Sequence, residues 1–163
     1  MWNHHFWFWK KDNWERNTSE FTRKIVGKEN IILVIEDTNG NKFGHYLSQE
    51  IKRAWDFVYD EKAFVFSLKS NGRLDGMMKF PIRNKSQAFE VYDETTDWLL
   101  TIGQGGPGLN DDINLMKSDC LHSNPRCGCK QSSYDYNGIQ NALCGSMNFM
   151  PKKFVVIQMI KEE

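Results

Sequence analysis

The first apolar pattern along the chain has the period of a helix. Phe21 and Ile25 lie four residues apart, which places them on one helical face, and Gly27 follows as a natural stop. Thr18 or Ser19 is suited to cap the start. The pattern therefore predicts a short helix that ends before Gly27.

The period then changes to that of a β-hairpin. Residues 31–35 are all apolar and mostly β-branched, which predicts a strand buried on both faces. Asn39-Gly40 follows, and both residues tolerate the positive φ that a tight turn requires. We expect the chain to return as a second strand over residues 42–46.

A second helical stripe and a series of short strands follow the hairpin. Ser48 is suited to cap a helix that carries Ile51, Trp55 and Val58 on one face. The later apolar runs are short and are separated by turn residues, as strands are. These predicted strands are Ala63–Leu68, Met77–Ile82, Phe89–Tyr92, Trp98–Ile102, Ile113–Met116, Gly145–Phe149 and Lys153–Ile160. The fold class that this order predicts is mainly β (α+β), a two-sheet antiparallel β-sandwich with short flanking helices.

Two segments carry expectations about burial. In the strand at residues 63–68 we expect Phe64 and Phe66 to face the core. The segment Lys117–Asn141 has little apolar content, so we predict a long irregular excursion on the surface.

Length and charge restrict the function classes. At 163 residues the chain corresponds to one domain, which we expect to be a monomer. Its 21 Lys and Arg residues balance 21 Asp and Glu residues, which argues against a surface built for nucleic-acid phosphates or anionic membranes. We expect no membrane span, and the aromatic N-terminus lacks the features of a signal peptide, so we expect a cytoplasmic or nuclear protein.

Two loops imitate known ligand-binding motifs. Gly103–Gly108 is glycine-rich but lacks the Lys-Ser/Thr of a phosphate-binding loop, so we interpret it as a tight structural loop. Asp37–Asn41 resembles the start of a calcium loop, yet Lys42 and Ser48 stand where glycine and glutamate are required. We therefore predict neither a nucleotide nor a calcium site, and no cofactor.

Four cysteines are the candidate redox thiols: Cys120, Cys127, Cys129 and Cys144. With His122, three of them could ligate zinc, although the spacing is not that of a standard zinc finger. Arg126 and Lys130 flank the Cys127–Cys129 pair and would favour the thiolate that peroxide attacks. Thiols at rest in a reducing compartment are the third interpretation.

The aromatic N-terminus is the candidate partner surface. The alternation of side chains favours an edge strand with one aromatic face exposed. In the alternative interpretation, the aromatic rings stack on nucleic-acid bases and the neighbouring lysines bind phosphates. The residues of this candidate surface are Trp2, Trp7, Trp9, Lys10 and Lys11. For His45, in the predicted hairpin, we expect a half-buried histidine with its hydrogen bonds satisfied.

The order of motifs resembles the TLDc domain, the module of the eukaryotic oxidation-resistance proteins. A helix that ends at Gly27-Lys28 precedes an apolar strand, and a hairpin and a Trp-bearing segment follow. The other shared motifs are Lys62–Leu68 (Lys-Ala-Phe-Val-Phe-Ser-Leu), Gly106-Pro107-Gly108 before Asp112-Ile113, Leu143-Cys144-Gly145, and a closing Val155-Val156 strand.

The resemblance implies a β-sandwich and a role in protection from oxidative stress. For several members it also implies docking on the vacuolar proton-pumping ATPase, and it implies no established enzymatic residue, so we expect no enzyme. This chain departs from the family at three places. His45 replaces a glycine, Leu109-Asn110-Asp111 replaces Phe-Gly, and Lys152-Lys153 stands where acidic residues are frequent.

Two other function classes are alternatives to a stress-linked adaptor. One is a DNA-binding regulator of peroxide-responsive genes that uses the N-terminal aromatic-basic segment. The other is a thiol-based redox sensor, in which one of Cys127 and Cys129 pairs with Cys120 or Cys144.

Overall fold

The computed structural model describes residues 2–9, 14–16, 20–103, 111–121 and 127–161. Its larger sheet has six antiparallel strands in the order β1-β11-β2-β3-β4-β5. These strands are β1 (Trp2–Trp9), β2 (Ile31–Asp37), β3 (Lys42–Leu47), β4 (Phe64–Lys69), β5 (Met78–Pro81) and β11 (Pro151–Lys161).

A smaller sheet lies on the other side of the core. It has the order β6-β7-β8, and a two-stranded ribbon pairs β9 with β10. These strands are β6 (Glu90–Val91), β7 (Trp98–Ile102), β8 (Ile113–Met116), β9 (Cys127–Gly128) and β10 (Asn148–Phe149). Side chains of both sheets form one buried cluster, in which Leu33 and Val65 join Leu100 and Leu115. The predicted mainly β, antiparallel fold is confirmed.

The helical content is small. The first predicted helix is confirmed as α1 (Phe21–Ile25), whose two terminal residues are buried. Two short 3-10 turns, at Lys85–Gln87 and Ser118–Cys120, complete the described helical elements. No helix among the described residues is long and apolar enough to cross a membrane.

The second predicted helix is wrong. The backbone N–H of Ile51 donates to the carbonyl of Lys28 (3.0 Å), and the Ile51 carbonyl accepts from Gly27 (2.7 Å). Trp55 has a φ of +62°, and Val58 forms an isolated bridge with Phe89. Helical periodicity was misleading here because the backbone groups that a helix would use are bound to distant segments.

The hairpin is confirmed, but its first strand is buried on only one face. Gly40 has a φ of +82° and its N–H donates to the Asp37 carbonyl (3.1 Å). In β2, Ile31, Leu33 and Ile35 are buried, whereas the intervening side chains are half-buried. The expectation of burial on both faces is wrong because the second face of this sheet lies away from the core.

The expected orientation of the strand at residues 63–68 is also wrong. Val65 is fully buried and belongs to the core cluster. Phe64 and Phe66 point to the opposite face, where Phe64 is half-buried, whereas Phe66 is buried (9% exposed) over Gly44, its cross-strand neighbour. The strand has apolar residues on both faces, so its sequence does not indicate which face packs inward.

The later strands follow the prediction with shorter or shifted ends. The predicted strands at residues 98–102 and 113–116 are confirmed with the same first and last residues. The strand predicted over residues 145–149 is limited to β10, and the closing strand extends over 151–161.

Candidate functional site

All four cysteines are free and buried, so the predicted surface excursion is wrong in its described part. Lys117 and Ser118 are also almost fully buried. The Lys117 ammonium donates to the carbonyls of Asp93 and Thr96, the latter at 2.6 Å. The Lys117 ammonium is tolerated inside because these carbonyls accept its hydrogen bonds, whereas the buried Ser118 hydroxyl has no hydrogen-bond partner among the described residues.

Cys129 and Cys144 are brought together beside the β9–β10 ribbon. The backbone N–H of Cys129 donates to the Met147 carbonyl (2.9 Å), directly beyond the Gly128–Asn148 pair. The interaction with Cys144, together with burial, raises the pKa of the Cys129 thiol, whereas the interaction with Cys129 lowers the pKa of Cys144 to about 7.

Cys120 and Cys127 have other partners. The Cys127 sulfur accepts from the Met116 backbone N–H (3.3 Å), and burial raises its pKa to about 12. Burial and the Asp119 carboxylate raise the pKa of Cys120. Burial raises the pKa of Cys127, and the interaction with Cys144 together with burial raises the pKa of Cys129. The expectation that neighbouring basic residues favour the thiolate at these two positions is therefore wrong.

A groove of about 370 Å³ opens next to Cys144. It is lined by residues 38–39 and 146–150. The Cys144 sulfur lies 3.1 Å from the Ser146 carbonyl oxygen and 3.8 Å from that of Asn148, both in the wall of this groove. The sulfur therefore lies behind the groove wall, and Cys144 is only 4% exposed.

Asp112, which the sequence analysis did not select, organises the segment that carries the cysteines. Its carboxylate accepts from the backbone N–H groups of Ser132 (3.0 Å) and Ser133 (2.8 Å) and from the Tyr136 hydroxyl (2.8 Å). Burial raises its pKa while these hydrogen bonds oppose the rise. Gly103 has a φ of +87°, and a Cβ there would collide with this carboxylate, so the tight-loop interpretation is confirmed at Gly103. Residues 104–108 of that loop lie outside the described residues.

His45 is fully rather than half buried, and its hydrogen bond is satisfied. Its Nε2 lies 2.9 Å from the Tyr134 hydroxyl, which also donates to the Ala88 carbonyl (3.2 Å). The imidazole stacks on Phe89 at 6.0 Å between ring centroids. Burial lowers the pKa of His45 to about 3, so the ring is neutral at physiological pH.

The outer face of the larger sheet is apolar. We use this name for Ile32, Val34, Tyr46, Phe64, Val155 and Ile157, all half-buried and on the side opposite the core. Strand register places them side by side, with Val155 against Val34 and Ile157 against Ile32. Tyr46 packs on Phe64 at 5.0 Å between ring centroids, and the Lys79 ammonium lies 4.0 Å from the Phe64 ring.

A lysine rim, Lys42, Lys152 and Lys153, borders one end of the outer face. All three surround Glu36, with N–O distances of 3.9, 3.2 and 3.2 Å in that order. The hydrogen bonds from Lys152 and Lys153 lower the pKa of Glu36. Three cations around one carboxylate leave this end of the face positively charged.

The N-terminal candidate surface forms the edge of the same sheet. Trp2, Trp7 and Trp9 belong to β1, which pairs with β11 from the Trp2–Lys161 pair to the Trp9–Phe154 pair. The edge strand is therefore confirmed. The side chains of these tryptophans lie outside what the structure describes, as do Lys10 and Lys11.

Two segments were compared with metal sites in the sequence: the calcium-like loop at Asp37–Asn41 and the cysteines with His122. Asp37 accepts from the N–H groups of Asn39 and Asn41, both at 2.9 Å, and so closes the hairpin turn. In the part of the chain that the structure describes, no group of three or more His, Cys, Asp or Glu side chains is placed to hold a metal. His122 and Arg126 lie outside that part.

Comparison with known protein families identifies the domain type. A family model of the TLDc domain matches residues 5–153, which span the core from β1 to β11. No match was found among curated proteins.

Proposed function

This chain belongs to the TLDc domain family, an oxidation-resistance type of domain, and from that premise we propose that it is a non-enzymatic interaction domain in the response to oxidative stress. Its function would then depend on a surface that binds another protein. The vacuolar proton-pumping ATPase, which the family resemblance implies for several members, is the first partner to test.

The outer face is the observation that carries this proposal. An antiparallel sheet with one face on the core ordinarily presents polar residues on the other. Here Ile32, Val34, Val155 and Ile157 form a continuous apolar patch across two strands instead. Apolar patches rimmed by polar residues are typical of protein–protein interfaces.

The lysine rim indicates the chemistry of the partner. Lys42, Lys152 and Lys153 carry three positive charges against the single negative charge of Glu36, an excess of two. Charge complementarity favours a partner surface that combines apolar side chains with acidic ones. Since family members often have acidic residues at 152–153, we expect the partner or its contact surface to differ from theirs.

The first experiment measures retention of detergent-solubilised vacuolar ATPase on the immobilised chain. We expect the substitution pair Val34→Thr and Val155→Thr to weaken binding at least about fivefold, because two nearly isosteric methyl-to-hydroxyl changes remove apolar contact area. Met77→Thr, at a side chain 74% exposed elsewhere, is the matched control. Equal retention of both variants would contradict the outer face as the binding site.

A second arm tests the rim and the identity of the partner. Lys152→Gln with Lys153→Gln should weaken binding and reduce its dependence on salt, whereas Lys85→Gln, an exposed lysine paired with Glu61, should change neither. Failure to retain the pump would remove that partner. Crosslinking in native lysate with and without peroxide would then identify the protein that the outer face binds.

The DNA-binding alternative is tested with the same protein. Deletion of the first 16 residues would remove Trp14, whose indole N–H donates to the Met116 carbonyl in the core (3.2 Å), so loss of binding would be ambiguous. Lys10→Gln with Lys11→Gln avoids this problem. Salt-dependent DNA binding that this pair abolishes would favour the alternative over the adaptor.

A further inference from the structure

The edge strand β5 of the larger sheet is protected against pairing with another chain. Proteins protect sheet edges, whose backbone N–H and C=O groups can bind a further strand, with short strands, proline, charged side chains or a covering segment. β5 has four residues, including Lys79 and Pro81. The Pro81 carbonyl accepts from the backbone N–H of Asp135 (2.8 Å), and Ile82 bridges Tyr134 directly after the strand. This edge is therefore short, charged and covered.

The outer strands of the smaller sheet are covered as well. Beside β6, the backbone N–H of Trp55 donates to the Val91 carbonyl (3.0 Å). Beside β8, the backbone N–H of Met116 donates to the sulfur of Cys127 in β9 (3.3 Å). Groups of these two strands that face away from β7 thus bind other segments of the same chain.

The edge strand β1 differs in length and composition. It is the last strand in the sheet order, with β11 as its one strand neighbour among the described residues, and it pairs with β11 from Trp2 to Trp9 without a bulge. Its sequence contains neither proline nor any lysine, arginine, aspartate or glutamate. At 3.4 Å per residue its eight residues form an edge roughly 27 Å long. A long, regular and uncharged edge is a template for another strand.

We propose that two copies of this chain form a dimer in which their β1 strands pair antiparallel to each other, in place of the monomer expected from chain length. Charge favours a second copy as the occupant of this edge. With histidine neutral, residues 2–9 carry no charged side chain and the whole chain has a net charge of zero, so two copies meet without repulsion. A basic or acidic segment of another protein would find no complementary charge along β1.

The protection of the other edge limits the association to two copies. A two-fold contact uses the same β1 edge of both copies and therefore closes on itself. Two six-stranded sheets would become one continuous sheet that ends at β5 on both sides. Because each β5 is short and covered, no further strand is expected to add there.

Pairing of two identical antiparallel strands also restricts the register. Directly opposite residues lie on the same face of a sheet and successive residues alternate, so the two-fold axis passes through a residue rather than between two. The overlap of β1 with its copy is longest when the axis passes through His5 or Phe6. This axis is perpendicular to the sheet, which would place both outer faces on the same side. Pairing through the β1 backbone requires nothing of the proposed partner, so dimerisation and pump binding can fail separately.

The first experiment measures the molar mass of the full chain by light scattering over a concentration series. We expect the mass to rise from 19.1 kDa to twice that value. His5→Lys places two like charges at or next to the axis and should weaken the dimer at least about tenfold. His5→Gln, a neutral side chain at the same position, is the matched control and should dimerise as the wild type does. A wild type that stays at 19.1 kDa would overturn the proposal, as would a dimer that His5→Lys leaves unchanged.

A distance measurement tests the antiparallel register and does not depend on the folding of His5→Lys. A nitroxide label is attached at Asn3→Cys, an exposed position of β1, whereas the native cysteines are buried. With the axis at His5 or Phe6, the two labelled Cα atoms should lie about 15–20 Å apart. Labels at Asp75→Cys, an exposed position after β4, should be at least about 40 Å apart, because both sheets lie between them.

Two results of this measurement would contradict the pairing of β1 with its copy. One is a dimer in which the Asn3→Cys labels are as far apart as those at Asp75→Cys. The other is a chain that gives no distance between copies and instead binds an added extended peptide at β1, which would identify a foreign strand as the occupant.

Discussion

At the scale of single residues, His45 shows how the fold holds an ionisable group neutral. Burial lowers the pKa of its imidazole from 6.5 to about 3, and its Nε2 is within hydrogen-bond distance of Tyr134. Below pH 6.5 the unfolded chain takes up a proton at this residue that the folded chain does not. This contribution to stability is therefore complete above pH 6.5 and is lost progressively between pH 6.5 and about 3.

We expect this loss to appear as a difference between two pH profiles. The free energy of unfolding of the wild type should fall by about 1.4 kcal/mol per pH unit more steeply than that of His45→Gln between pH 6 and 4. Glutamine has no titrating group but can hydrogen-bond to the Tyr134 hydroxyl. Urea unfolding at a series of pH values makes the measurement, and parallel profiles would contradict the prediction.

Asp112 is the second residue whose environment makes a prediction. Asp112→Asn replaces a carboxylate oxygen by an NH₂ group among the donors Ser132, Ser133 and Tyr136. We expect it to cost about 1–3 kcal/mol, because a buried donor then lacks an acceptor. Asp75→Asn, at an exposed carboxylate, is the control, and chemical denaturation measures both. An equal effect of both variants would show that Asp112 is not an organising acceptor.

At the scale of elements, the β2–β3 hairpin depends on the turn around Gly40. The φ of +82° at this residue is strained for a β-branched side chain. We expect Gly40→Val to lower the free energy of unfolding by at least about 1 kcal/mol. Thr38→Val, in the same turn and without a positive φ, should cost less. Equal effects in thermal or urea unfolding would remove the conformational explanation.

At the scale of the whole molecule, Trp14 connects the chain after β1 to both sheets. Its ring packs on Phe154 of the larger sheet at 5.1 Å between centroids, and its indole N–H donates to Met116 of the smaller sheet. We expect Trp14→Ala to cost about 3–5 kcal/mol, the range for a large buried aromatic. Trp55→Ala, at a side chain 50% exposed, should cost clearly less in the same denaturation experiment. The opposite order would mean that Trp14 does not join the two layers.

The sequence by itself determined the features that depend on neighbouring residues. The short helix at Phe21–Ile25, the Asn39-Gly40 turn and the strands at Trp98–Ile102 and Ile113–Met116 are confirmed, because turn conformation and β-branched runs act locally. The order of the family motifs can also be read directly along the sequence, and the TLDc match confirms the resemblance that this order indicates.

Only the tertiary structure decided which segments meet and which face of a strand packs on the core. Val65 rather than Phe64 faces the core, since a strand with two apolar faces is oriented by its packing partners and not by its own pattern. The segment from Ser48 to Val58 is not helical, because Gly27, Lys28 and Phe89 lie far away in sequence but bind its backbone. The backbone of Cys129 is bonded to that of Met147 for the same reason: β9 pairs with β10 there, and no spacing along the chain encodes that pairing.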